Sequence, residues 1–143
     1  MPDPLYTARI PVRWSDMDAL GHVNNAVYNT YFEQARIEWM ASAAGDGQPW
    51  PGAPGTGPVL VAVEAEFKRP VVYPATVVVE VSCPGAGRTS IPLDCRLTLE
   101  GDPDTVVATA RTTLVWIDLA SGRPTPLPDA LRHTVGRARA HEG

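Results

Sequence analysis

The chain has 143 residues, 44% of them hydrophobic and 20% charged, with a formal net charge of −4. That length suits one globular domain, and the acidic balance excludes a broad basic footprint for nucleic acid while leaving room for a local cation cluster. Two cysteines, Cys83 and Cys95, suit reduced, partly buried thiols; no apolar run reaches the length of a membrane span or resembles a signal peptide, so cytoplasmic residence is the default expectation.

Tyr6, Ala8, Ile10, Val12 and Trp14 alternate with Thr7, Arg9, Pro11, Arg13 and Ser15. A period of two predicts a half-buried strand, and Pro11, which cannot donate to a ladder, belongs on an edge or bulge. From Asn25 the period changes. Tyr28, Tyr31, Phe32, Ala35 and Trp39 fall at three- and four-residue spacing and predict a helix fading by Ala44-Gly45. Asn24 or Asn25 is its candidate N-cap. Glu33 and Arg36, three apart, are expected to form an ion pair on it.

Gly45 to Pro58 is rich in Gly and Pro and carries Trp50, which predicts a loop, either a lid or filler. Strands are predicted at Val59 to Lys68, Thr76 to Cys83, Ser90 to Glu100 and Thr105 to Ile117, with turns at Pro84–Arg88 and Gly101–Asp104. Val59 to Lys68 alternates and is expected to be half-buried. Residues 118–143 form a Pro-rich tail with a short basic helix from Asp129. Short connections favour antiparallel pairing, and one apolar helix with such a sheet makes a single α+β domain over 1–143.

The densest chemistry lies between the first strand and the helix. Residues 16–36 read D-M-D-A-L-G-H-V-N-N-A-V-Y-N-T-Y-F-E-Q-A-R. Two carboxylates, a Gly-His step and an Asn-Asn pair crowd one element boundary, where binding and reacting groups concentrate. Asp18 precedes the loop, and Asn25 falls at a helix start, where unpaired N–H groups and the dipole favour negative charge. Asp16 reads as a structural carboxylate bonding the strand end. Gly21 supplies backbone freedom or close approach.

This run resembles the signature of the hotdog-fold acyl thioesterases, written D-x-D-x-x-G-H-V-N-N-x-x-Y-x-x-Y-x-E-x-A-R. The resemblance implies a hotdog fold, a five-stranded antiparallel sheet wrapped around one long central helix. It implies hydrolysis of an acyl-CoA or acyl-carrier-protein thioester, with Asp18 as nucleophile or general base and a backbone N–H near Asn25 as oxyanion donor. His22 is a candidate to orient substrate or water, or only to hold the loop. Glu33 is the rival carboxylate, since some hotdog subfamilies use a helix glutamate; partial burial would raise its pKa. For binding, the resemblance points to Gly21, to Lys68 and Arg69 against coenzyme A phosphates, to Arg88 as a second cation, and to Val61 among the strand residues beside an acyl tunnel. It also implies a homodimer or homotetramer with the active site at the dimer interface. No cofactor or metal is implied.

The run departs from the 4-hydroxybenzoyl-CoA thioesterase motif, which lacks the Gly-His-Val-Asn-Asn step, and is closer to long-chain acyl-CoA thioesterases and plant acyl-carrier-protein thioesterases. The acyl group therefore stays open. Two other readings stand beside hydrolysis: a hotdog enoyl-thioester hydratase or dehydratase, and a non-catalytic acyl-thioester-binding protein. There is no Gly-x-Ser-x-Gly elbow and no P-loop, and His22, His133 and His141 lack metal-ligand spacing.

Overall fold

A computed structural model of the chain describes residues 3–45 and 47–142, with side chains up to Val135. The elements run β1 (Tyr6–Pro11), a 3-10 turn (Trp14–Asp16), α1 (Asn25–Ser42), β2 (Thr56–Phe67), β3 (Thr76–Ser82), β4 (Ser90–Leu99), β5 (Ala108–Asp118) and α2 (Asp129–Glu142). The five strands form one antiparallel sheet in the order β1-β3-β4-β5-β2.

Alternation makes one face of the sheet the core. Val77, Val79 and Val81 of β3, Ile91, Leu93, Cys95 and Leu97 of β4, and Ala108, Ala110, Leu114 and Trp116 of β5 are buried on it. The 18-residue α1 packs against this face over β1 and β3 through Tyr28, Tyr31, Phe32, Ala35, Trp39 and Met40. Burying such side chains contributes roughly 1.5–3 kcal/mol each, which outweighs the modest helix propensity of the aromatic ones. Asn24 caps α1, its side chain accepting the Ala26 N–H at 2.9 Å. The His141 side chain lies outside the described residues. Among those described, no helix is long and apolar enough to cross a membrane.

Three sequence expectations need correction. β1 stops at Pro11, which takes an edge position where its missing N–H faces away from β3; the Val12 N–H still donates to the Ala75 carbonyl at 2.8 Å, and Trp14 then swings into the 3-10 turn with 73% exposure. β2 starts earlier than Val59, at Thr56, and is not half-buried: Val59, Leu60, Val61 and Val63 are all exposed. It is an edge strand paired only with β5, and its register shifts between Leu60 and Ala62, so Val61 has no partner in the ladder. Such a bulge breaks the in–out alternation that the sequence suggests. β5 starts at Ala108 rather than Thr105; the Val107 carbonyl instead accepts the N–H groups of Lys68 and Arg69, at 2.8 and 3.2 Å. The Gly- and Pro-rich loop is anchored at its far end, where Trp50 Nε1 donates to the Thr56 carbonyl at 2.9 Å.

Candidate active site

The loop between β1 and α1 is closed by its own backbone. Met17 and Val23 pair as an antiparallel bridge, Asp18 N–H donates to the His22 carbonyl at 2.9 Å, and Gly21 N–H donates to the Asp18 carbonyl at 3.0 Å. Gly21 has φ +82°, a left-handed conformation that glycine adopts at little cost. The Val23 N–H donates to the Val71 carbonyl at 2.8 Å, which ties the loop to the segment following β2.

The two carboxylates have different surroundings. Asp16 is buried, with 2% exposure. It accepts the Arg13 N–H at 2.9 Å, Arg13 Nε at 3.0 Å and the Tyr31 hydroxyl at 2.8 Å, with a further Arg13 contact at 2.8 Å. Burial alone would push the Asp16 carboxyl up, but these donors together hold it below the usual carboxylate range. The same geometry pushes the Tyr31 hydroxyl well above its usual range, by burial first and the neighbouring carboxylate second. Every Asp16 contact is internal, so this carboxylate braces the 3-10 turn against the helix.

Asp18 is only half-buried. Its Oδ1 accepts the Leu20 N–H at 2.9 Å, and its Oδ2 accepts the Asn24 side-chain amide at 3.4 Å. Both bonds come from groups in the same loop, and lone pairs remain on each oxygen. One residue beyond the cap, α1 begins at Asn25. The Asn24 side chain and carbonyl take up the N–H groups of Ala26 and Val27. The Asn25 N–H finds no acceptor among the described residues. An oriented carboxylate therefore sits beside an open donor at the positive end of an 18-residue helix.

Other expected site residues fall into two groups. His22 is exposed in the same loop, one residue from Gly21. Lys68 and Arg69 follow Phe67, whose ring lies 5.1 Å from that of Tyr28 on the first turn of α1, so both cations are held near the helix start. Lys68 Nζ also lies 3.5 Å from Glu66. Glu33 does not join this group. It lies eight residues along α1 from Asn25, a rise of about 12 Å, and is exposed rather than partly buried. Arg88 is at the other end of the sheet. Its neighbour Thr89 accepts the Trp116 N–H, whereas Lys68 donates to Val107, nine residues away along β5 and roughly 30 Å distant. Val61 is 57% exposed on the edge strand, so within one chain it lines no enclosed tunnel.

One residue of this region takes a place its sequence context did not suggest. Arg36 is 6% exposed, yet no hydrogen bond or ion pair to it forms among the described residues; Glu33 lies beyond contact distance. Its position on the flank of the buried helix stripe is the only signal in the sequence. Among the described residues, no group of three or more His, Cys, Asp and Glu side chains is placed to hold a metal ion.

A family model described as the thioesterase-like superfamily matches residues 12–135. The long-chain acyl-CoA thioesterase FadM of Escherichia coli is 32% identical over 127 residues, spanning 89% of this chain and 94% of FadM. Among solved structures, a thioesterase candidate from Pseudomonas aeruginosa superimposes with a TM-score of 0.85 at 41% identity, covering 93% of this chain and 99% of its own. A thioesterase from Thermus thermophilus, solved with coenzyme A and zinc, superimposes with a TM-score of 0.78 at 32% identity, covering 98% of each chain.

Proposed function

The chain belongs to the thioesterase-like superfamily, and on that premise we propose that it hydrolyses acyl-CoA thioesters with Asp18 as the reacting carboxylate. The observation that carries this reading is the pairing of Asp18, oriented by Leu20 N–H and Asn24, with the open Asn25 N–H at the head of α1. A thioester carbonyl needs both a nucleophile or activated water and a donor where the oxyanion develops. With the carbonyl oxygen at the Asn25 N–H, the Asp18 carboxylate either takes a proton from water as the water oxygen bonds to carbon, or bonds to carbon itself. In both routes the C–S bond then breaks, and the thiolate of coenzyme A leaves and is protonated. In the second route water cleaves the resulting anhydride and restores the carboxylate. His22 is exposed at the same mouth, where it can orient water. Lys68 and Arg69 supply positive charge for the coenzyme A phosphates.

The reading extends to a homodimer that joins at β2. An edge strand with four exposed apolar side chains at Val59, Leu60, Val61 and Val63 is a surface that soluble chains cover. Pairing there brings Val61 and its neighbours against a second copy and gives the acyl chain two walls. Release of coenzyme A thiol from short, long and aromatic acyl-CoAs tests the reading, with wild type compared with Asp18→Asn. Turnover that survives in Asp18→Asn removes Asp18 from the chemistry; no turnover on any acyl-CoA by folded wild type removes the activity.

A further inference from the structure

Trp39 lies near the C-terminal end of α1, a rise of about 21 Å from Asn25. It forms part of the wall of a cleft of about 620 Å³ between the last turn of α1 and the first turns of α2. That volume is ordinary for a small-molecule site. Leu5, which also lines the cleft, precedes β1, the sheet edge opposite β2. The cleft is therefore separate from both the Asp18 loop and the proposed dimer edge.

Trp39 is fully buried, and its Nε1–H has no acceptor among the described residues. An unpaired buried donor is unfavourable, so an acceptor that reaches it from the cleft gains a full hydrogen bond without displacing another. The rest of the polar lining has the opposite character. Ser42 Oγ donates its proton to the Trp39 carbonyl, and Thr134 Oγ1 donates to the Ala130 carbonyl at 2.9 Å. Toward the cleft both hydroxyls offer only lone pairs. The exposed Asp129 carboxylate adds acceptors and a full negative charge. The C-terminal end of α1 adds partial negative charge, while Asp129 offsets the positive end of α2 from within its first turn. His133 contributes one donor and one acceptor when neutral. Acceptors and negative charge at the rim, with one unspent donor at the inner wall, select a ligand with several N–H groups at one end and an acceptor at the other.

We propose that this cleft binds a small organic amine that also carries a hydrogen-bond acceptor, such as an amino alcohol or an amino amide. The ammonium donates to Asp129 and to the oxygens of Ser42 and Thr134. The ligand's oxygen accepts the Trp39 Nε1–H, and its short carbon stem lies against Leu5. A carboxylate in the same place would meet the Asp129 charge.

The test reads the indole N–H signals of the 15N-labelled full chain, assigned by triple-resonance spectroscopy. Trp14, Trp50 and Trp116 serve as internal controls. The probes are ethanolamine and glycinamide, with ethylene glycol as the uncharged counterpart and glycolate as the anionic one, all at equal ionic strength. Both amines are expected to move the Trp39 signal saturably below about 10 mM, with the other three indoles unmoved. Ethylene glycol and glycolate are expected to bind at least about tenfold more weakly, and Asp129→Asn to weaken ethanolamine by at least about tenfold. If circular dichroism shows helix lost in Asp129→Asn, Asp129→Ser, which keeps a capping side chain, takes its place. A Trp39 signal unmoved by either amine, or moved no differently from the other indoles, overturns the site. Glycolate or ethylene glycol binding as tightly as ethanolamine, or ethanolamine binding unchanged in the Asp129 variant, overturns the ligand class.

Discussion

The Tyr31 hydroxyl donates to the Asp16 carboxylate across 2.8 Å, and both groups are buried. This bond joins the second turn of α1 to the end of the 3-10 turn, two residues before Asp18. The two neighbouring carboxylates therefore differ in role. Asp16 is tied up in holding the fold, and Asp18 stays half-exposed at the mouth.

Asp16 should make stability depend on acid. Its folded carboxyl is held below the usual value, so it contributes stability that is fully present above the unfolded pKa, near 3.8, and is lost as pH falls through the folded value. Asp16→Asn is expected to lose about 2–3 kcal/mol at pH 7, from charge-assisted bonds that an amide does not replace. The difference from wild type should shrink at low pH. Urea unfolding at pH 7 and pH 3 measures both; a gap that widens in acid contradicts the assignment.

Tyr31→Phe keeps the ring in the core and removes only the donor to Asp16. A destabilisation of about 1–2 kcal/mol is expected, with the midpoint of acid unfolding moved to higher pH, because the carboxylate loses one of the bonds that lowers its pKa. An acid midpoint unchanged from wild type would place the Asp16 effect on Arg13 alone.

Asp18→Asn keeps the loop's acceptor for Leu20 N–H but cannot take a proton or form an anhydride. A fall in kcat of at least about 100-fold is expected, with thermal stability within about 1 kcal/mol of wild type. Single turnover of wild type in 18O-labelled water separates the two routes. Peptide mapping that finds label in the Asp18 carboxylate marks an anhydride opened at the Asp18 carbonyl, whereas label only in the released acid, with no acyl adduct on Asp18 after rapid quench or hydroxylamine trapping, marks general-base attack by water.

Gly21→Ala meets no atom within 4 Å, so its cost comes from the backbone. A φ of +82° costs an alanine about 1–2 kcal/mol. The loop is expected to relax and carry the Asp18 carboxylate out of place, lowering kcat more than it lowers the melting temperature. Kinetics at a temperature far below melting check this, and unchanged kcat there would show that loop geometry is not limiting.

Lys68→Ala and Arg69→Ala should each raise KM for acyl-CoA several-fold and weaken its salt dependence, with less effect on kcat, if, as proposed, the two cations bind the coenzyme A phosphates away from the carbonyl. A truncated acyl-pantetheine thioester, which lacks the nucleotide phosphates, should be insensitive to both changes. Equal sensitivity with and without those phosphates would assign the two residues to the fold.

Much of this architecture is written in local pattern. Period two marks β3, β4 and β5, the shift to helical spacing after Asn25 marks α1, and the Asn24 cap and Gly21 turn are legible from residue type alone, because backbone sterics and hydrogen-bond valence act within a few residues. The motif at 16–36 likewise identifies the loop. Strand order, by contrast, is a non-local outcome, and it decided the rest. β2 alternates like its neighbours, but its place at the sheet edge and the bulge at Val61 expose it on both faces. Arg88 and Lys68 look alike in sequence, yet antiparallel pairing sends them to opposite ends of β5. Glu33 and Arg36 have the spacing of an ion pair, and only packing against the sheet shows one drawn inward and the other left in solvent. A side chain's periodicity says which neighbours share its face; whether that face is covered depends on elements far away in the chain.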